Sequence, residues 1–115
     1  MEKLNELEFT LLEKLSNKYP LLKEHIPYLR VKNREITGVG MYVKFCYLEP
    51  IEDKNINIPD GSLSANENIE IESLKNGLGY EVDISKGKVN FIEFITYNEE
   101  WDGSISNFSI NEWEE

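Results

Sequence analysis

Gly79-Tyr80-Glu81-Val82-Asp83-Ile84-Ser85-Lys86-Gly87-Lys88-Val89-Asn90-Phe91-Ile92-Glu93-Phe94-Ile95-Thr96-Tyr97 is the stretch on which the fold turns. Tyr80, Val82 and Ile84 alternate with Glu81 and Asp83, the period of two that a strand with one buried face requires. Ser85-Lys86-Gly87-Lys88 supplies a hairpin turn, with Gly87 suited to the left-handed position. The returning segment, Val89 to Tyr97, is apolar on both parities: Val89, Phe91, Ile95 and Tyr97 on one, Ile92 and Phe94 on the other. That pattern predicts a central strand covered on one face by helices. Glu93 interrupts it.

Working outward, Met41, Val43, Phe45 and Tyr47 form one apolar face of an upstream strand, with Tyr42, Lys44, Cys46 and Leu48 opposite. Val31 to Thr37 is its expected hairpin partner through Gly38-Val39-Gly40, where glycine permits a positive φ. Ile69, Ile71 and Ser73 continue the strand pattern. Residues 49–67 read as a long polar loop marked by Pro50, Pro59 and Asp60-Gly61, a length usually associated with function or disorder. Phe108 and Ile110 mark a short edge strand in an acidic tail, residues 98–115, that also holds Trp101 and Trp113.

Before Arg30 the period is helical. Leu4, Leu7, Leu11, Leu12 and Leu15 make one stripe over residues 3–18. Pro20 ends that helix and starts a second, with Leu21, Leu22, His25 and Ile26 inward until Pro27 breaks it. The expected architecture is α+β: a helical hairpin (1–29) on a mostly antiparallel sheet of about five strands (30–97), antiparallel because short hairpin links leave no room for crossovers. At 115 residues and 40% hydrophobic, the chain has material for one core and not two.

Charge is unevenly placed. Residues 1–48 carry eight bases and six acids; residues 49–115 carry four bases and sixteen acids, and no base follows Lys88. Such a field disfavours nucleic acid and anionic lipid and speeds encounter with a basic protein. No apolar run approaches the roughly 18–20 residues that cross a bilayer. A lone cysteine cannot form an internal disulfide, and the first residues hold acids where a secretory leader would be basic, so the expected location is cytoplasmic.

Motif by motif, the chemistry is sparse. His25, the single histidine, lies on a helix face without a Ser, Cys or Thr neighbour that would make it a catalytic base. Cys46 sits mid-strand with only Lys44 near it, a setting for a half-buried structural thiol. Asp53-Lys54-Asn55-Ile56-Asn57 imitates the opening of a calcium-binding loop, but Ile58 and Ser64 occupy the positions that need glycine and glutamate. Gly38-Val39-Gly40 and Gly77-Leu78-Gly79 lack the third glycine and the strand-to-helix setting of a dinucleotide site. Neither a catalytic set, a metal nor a cofactor is expected.

Two stretches resemble a known pattern. Arg34-Glu35-Ile36-Thr37-Gly38-Val39-Gly40-Met41-Tyr42 resembles the R-E-x-T-G-V-G-aromatic segment of a family of small uncharacterised bacterial proteins. The run from Leu74 through Gly77, Gly79 and Gly87 to Glu93-Phe94-Ile95-Thr96-Tyr97-Asn98-Glu99-Glu100-Trp101 resembles that family's G-x-G … Y-T-Y-x-E-x-W ending. Together they span about residues 31–101. Met41 stands where the pattern has an aromatic, a change a core face accepts. The resemblance implies no activity, cofactor or catalytic residue. More loosely, small acidic chains of this size resemble the immunity proteins of polymorphic toxin systems.

Two functional expectations follow. The first is a non-enzymatic, acidic protein-binding module, of the immunity or antitoxin kind, that inhibits a basic, nuclease-like protein. Its contact residues are expected at Tyr97, Glu99, Glu100, Trp101 and Asp102, an aromatic anchor among acids, with Glu49, Glu52 and Asp53 as a second patch; Trp101 packing the tail against the sheet is the equal alternative. The second is a ligand-binding or enzymatic pocket between helices and sheet. There Tyr28, Tyr42, Tyr47, Tyr80 and Tyr97 would form the lining, and Glu35, Glu81 or Glu93 would be the ionisable group. Glu93 is the sharpest of these, since an apolar strand setting favours a protonated carboxyl.

Overall fold

The structure is a computed structural model, and it describes residues 2–49, 59–65 and 67–112. The described elements are α1 (Glu6–Leu15), α2 (Leu22–His25), a 3-10 turn (Ile26–Tyr28), and strands β1 (Leu29–Ile36), β2 (Gly40–Tyr47), β3 (Gly61–Leu63), β4 (Glu67–Ile71), β5 (Leu78–Ser85), β6 (Lys88–Thr96) and β7 (Phe108–Glu112). The seven strands form one sheet, in the order β1-β2-β6-β5-β4-β7, with β3 also on β5. Every pairing is antiparallel.

The fold is thus α+β with a mostly antiparallel sheet, as expected, but with seven strands rather than about five. The surplus is local. Three-residue β3 lies inside the stretch read as a polar loop and is too short to display a period. The helical part is also smaller than a hairpin. α1 is one real helix, whereas α2 has four residues and runs directly into the 3-10 turn at Pro27. Leu21, expected inward, is 41% exposed.

α1 begins where its cap dictates. The Asn5 side chain accepts the Glu8 N–H at 2.8 Å, and the Glu8 carboxylate accepts the Asn5 N–H at 2.8 Å, a reciprocal capping box. Buried Glu8 also takes two hydrogen bonds from Arg34 on β1, at 2.8 and 2.9 Å. The Arg34 guanidinium reaches Glu2 as well, at 2.7 Å, and its hydrogen bond to Glu8 is the main cause holding its pKa above the ordinary value. One carboxylate therefore starts the helix and clamps it to the sheet. At the far end of α1, Lys14 approaches the buried Glu67 at 3.7 Å, and Glu67 accepts the Tyr80 hydroxyl at 2.9 Å. Burial is the first cause of the raised Tyr80 pKa.

Leu7, Leu11, Leu12, Leu15 and Leu22 are fully buried in one core with Val43, Phe45, Val82, Ile92 and Phe94. His25 belongs to this layer too. Its Nδ1 lies 2.8 Å from the Tyr47 hydroxyl, which accepts the Val89 N–H at 2.7 Å. Burial pushes the Tyr47 phenol up to about 12. His25 is a packed helix-face residue. Cys46 is half-buried on its strand, with its thiol 3.6 Å from the Arg30 carbonyl.

Phe91 and Ile95, which share the parity of Val89 in the sequence, do not share its burial. β5 and β6 slip register at one point: Asp83 faces Phe91, but Ile84 faces Val89, leaving Asn90 unpaired. This bulge resets the alternation. Val89 on one side of it and Ile92, Phe94 and Thr96 on the other are all buried, while Phe91, Glu93 and Ile95 point away from the helices. Apolar residues on both parities of β6 reflect a bulge as well as a central position.

Candidate protein-binding surface

The face of the sheet that points away from α1 is open. Across β2, β6 and β5 it presents Tyr42, Phe91, Ile95 and Tyr97, with Glu35, Glu81, Asp83 and Glu93 around them. The register places these residues. Tyr42 pairs with Glu93 and Lys44 with Phe91 across β2–β6. Glu81 pairs with Glu93 and Asp83 with Phe91 across β5–β6. Ile95 is 40% and Tyr97 44% exposed. The Tyr42 and Phe91 rings meet edge to face, with centroids 5.4 Å apart, so the aromatic floor is preorganised.

Tyr97 lies across Gly79. A methyl group on Gly79 would stand 2.7 Å from the Tyr97 hydroxyl oxygen. The glycine is what lets the ring lie over the strand. Gly40, one strand pair away, is required by backbone instead, since a Cβ there would clash with the Phe94 carbonyl oxygen.

One cross-strand pair on this face sets like charges against each other. Glu81 and Glu93 stand directly opposite one another on adjacent antiparallel strands, where like charges are destabilising. Glu93 is partly compensated by a hydrogen bond from the Tyr42 hydroxyl. That bond is the largest cause of the raised Tyr42 pKa, since ionising the phenol would put a second negative charge beside the carboxylate. Lys44 pairs with Glu35 at 3.7 Å, both largely exposed, an arrangement of small energetic value. Asp83 accepts the Asn90 side-chain amide at 3.0 Å.

The expected anchor in the tail is not one surface. Trp101 is 4% exposed, packs edge to face on Phe94 with centroids 6.0 Å apart, and donates its indole N–H to the Ser104 carbonyl at 2.9 Å. It closes the end of the core and is no exposed hot spot. Glu99 accepts the Lys75 and Asn76 backbone N–H groups at 2.8 and 2.9 Å. These bonds, Asn76 first, hold its carboxyl below the usual range. Asp102 accepts the Ser104 N–H at 2.9 Å, which lowers its pKa in the same way. Glu100 and Asp102 line a shallow depression with Gly38, Ser73 and Trp101, while Tyr97 turns to the open sheet face. Glu49 is exposed in the turn after β2; Glu52 and Asp53 fall outside the described residues.

The expected pocket between helices and sheet is filled by the leucines of α1 and α2. Its residues are split between two faces: Tyr42, Tyr97, Glu35, Glu81 and Glu93 outward, Tyr47 and Tyr80 inward with their hydroxyls engaged. Among the described residues there is no cluster of three or more His, Cys, Asp or Glu that would hold a metal. No helix among them is long and apolar enough to cross a membrane.

Sequence reasoning missed Phe91, Ile95, Glu81 and Asp83 as one surface with Tyr42 and Tyr97. The available signal was the double apolar parity of β6, which marks an exposed apolar row once a bulge is placed at Asn90. No family model matches the chain, and comparison with curated proteins and with solved structures likewise finds no match.

Proposed function

We propose that the protein is a non-enzymatic recognition module that binds a basic protein through the open sheet face, in the manner of an immunity or antitoxin-type inhibitor. The observation that carries this reading is the in-register Glu81–Glu93 pair beside the Tyr42–Phe91 floor. A fold gains nothing from facing two carboxylates across a strand pair, and an arginine or lysine from a partner would relieve the repulsion while its stem packs on the rings. Exposed aromatic and aliphatic side chains bordered by charge match the composition of protein interfaces. The twelve-charge excess of acid over base after residue 48 adds long-range steering towards basic surfaces such as those with which nucleases bind phosphate.

The test is affinity purification from the native host at low salt, with wild type and with Glu81→Lys/Glu93→Lys in parallel. A basic protein should be retained by wild type, released as salt rises, and absent from the double variant. Failure of wild type to enrich any basic protein, including the product of a co-expressed neighbouring gene, would defeat this function. Equal retention by the double variant would move the interface off the open face.

A further inference from the structure

A second surface has the opposite chemistry. Between α1, the 3-10 turn and the start of β1 runs a groove of about 560 Å³, lined by Leu4, Phe9, Ile26, Pro27 and Leu29 with Lys3, Lys23 and Arg30 at the rim. Glu13 is the one acid in that lining. The volume lies within the roughly 300–1,000 Å³ typical of small-molecule sites, which are mostly apolar with a few placed polar groups. Its base is solid, since Leu29 is fully buried, and its wall is open, since Phe9 is 46% exposed. The Arg30 guanidinium is held at the rim by a 2.7 Å hydrogen bond to the Leu29 carbonyl. Neither lysine forms an ion pair with a described residue.

We infer that this groove binds a small amphipathic anion, a carboxylate carrying an unbranched apolar body, with the chain on Leu4, Phe9 and Ile26 and the headgroup between Lys3, Lys23 and Arg30. Charge complementarity selects that occupant. Three cations border an apolar floor on a protein whose net charge is −10, so the local field at the groove opposes the field of the whole. The same net charge disfavours an anionic bilayer, which would meet the entire molecule, whereas a single small anion meets only the groove. The site shares none of its residues with the open sheet face, and its occupancy does not depend on the function proposed above.

Decanoate below its micelle concentration, titrated into the full-length 15N-labelled protein, tests the inference, with decyltrimethylammonium as the charge-reversed control. Saturable shifts confined to residues around Leu4, Phe9, Ile26 and Leu29 are expected for decanoate. Lys3→Glu/Lys23→Glu should weaken binding at least about tenfold, equivalent to 1.4 kcal/mol, with an otherwise unchanged spectrum. A stronger response to the cationic amphiphile, the result that bulk charge alone would produce, overturns the inference. So does decanoate affinity that survives the double charge reversal, or shifts that spread without saturating. Binding to phosphatidylglycerol vesicles in place of free decanoate would show a membrane contact and would equally overturn it.

Discussion

The two faces of one sheet have been built to different standards. On the helix side, Val43, Val82, Ile92 and Phe94 are at most 1% exposed and meet fully buried leucines of α1 and α2. Each polar group brought into that layer is matched: Glu8 by Asn5 and Arg34, Tyr80 by Glu67, Tyr47 by His25 and Val89. On the other side, the same strands expose Ile95 and Tyr97 and set Glu81 against Glu93. The same strands thus carry one closely packed face and one that is partly exposed and only partly compensated. Substitutions at the exposed positions of the open face should therefore cost the fold less than those on the covered face.

The largest effect that would break this contrast comes from the covered side. Leu11→Ala should cost roughly 2–5 kcal/mol, as truncation of a fully buried leucine does, measured by urea denaturation. Ile95→Ala on the open face should cost about 1 kcal/mol or less, because much of that side chain is already in water. Comparable losses at the two sites would mean that the open face is part of the core.

Glu8→Ala comes next. It strips the capping box of one of its two acceptors, leaving the Asn5 side chain to accept the residue-8 N–H, and leaves Arg34 without its main partner. The loss should fall below the roughly 3–5 kcal/mol of breaking a fully buried pair, since the Arg34 side chain is 26% exposed and regains water. Urea denaturation again measures it, and loss of α1 helicity should accompany the change. A variant as stable as wild type would show that the clamp between helix and β1 is incidental.

Much of this arrangement is visible in the amino-acid pattern. The alternation in β2 and β5, the Lys86–Gly87 turn and the leucine stripe of α1 each follow from one local rule, and all three are found. Lys86 and Gly87 both take positive φ, 54° and 73°, as a tight two-residue hairpin demands. What was illegible depends on pairing partners. The slip at Asn90 exists only between β5 and β6, so a single-strand period cannot reveal that Phe91 and Ile95 face outward. Trp101 in an acid-rich run fits an exposed anchor and a packed tail equally, and only the fold, by bringing Phe94 and Ser104 to it, selects the packed tail. Glu99 looks like free charge until the turn at Lys75–Asn76 presents two N–H groups to it. The expected second patch at Glu52 and Asp53 lies outside the described residues.

A pH profile sharpens the point about Glu99. Its folded-state pKa is lowered from 4.5 by the backbone donors, so its contribution is complete above that value and is lost as pH falls through the lower folded-state pKa. Between about pH 6 and about pH 3, Glu99→Gln should therefore lose stability less steeply than wild type, narrowing the difference between them. Parallel curves would show that the hydrogen bonds to Lys75 and Asn76 do not persist in solution.

The smallest effect bears most directly on the central claim that the open face is held in reserve for a partner. If Glu81 and Glu93 repel each other in the free protein, removing one charge should make the isolated molecule more stable. The measurement is the urea midpoint of Glu81→Gln against wild type at low and high salt. A gain of about 0.2–1 kcal/mol is expected at low salt, shrinking as added ions screen the pair. A variant less stable than wild type at low salt would show that Glu81 serves the fold, and would contradict the account.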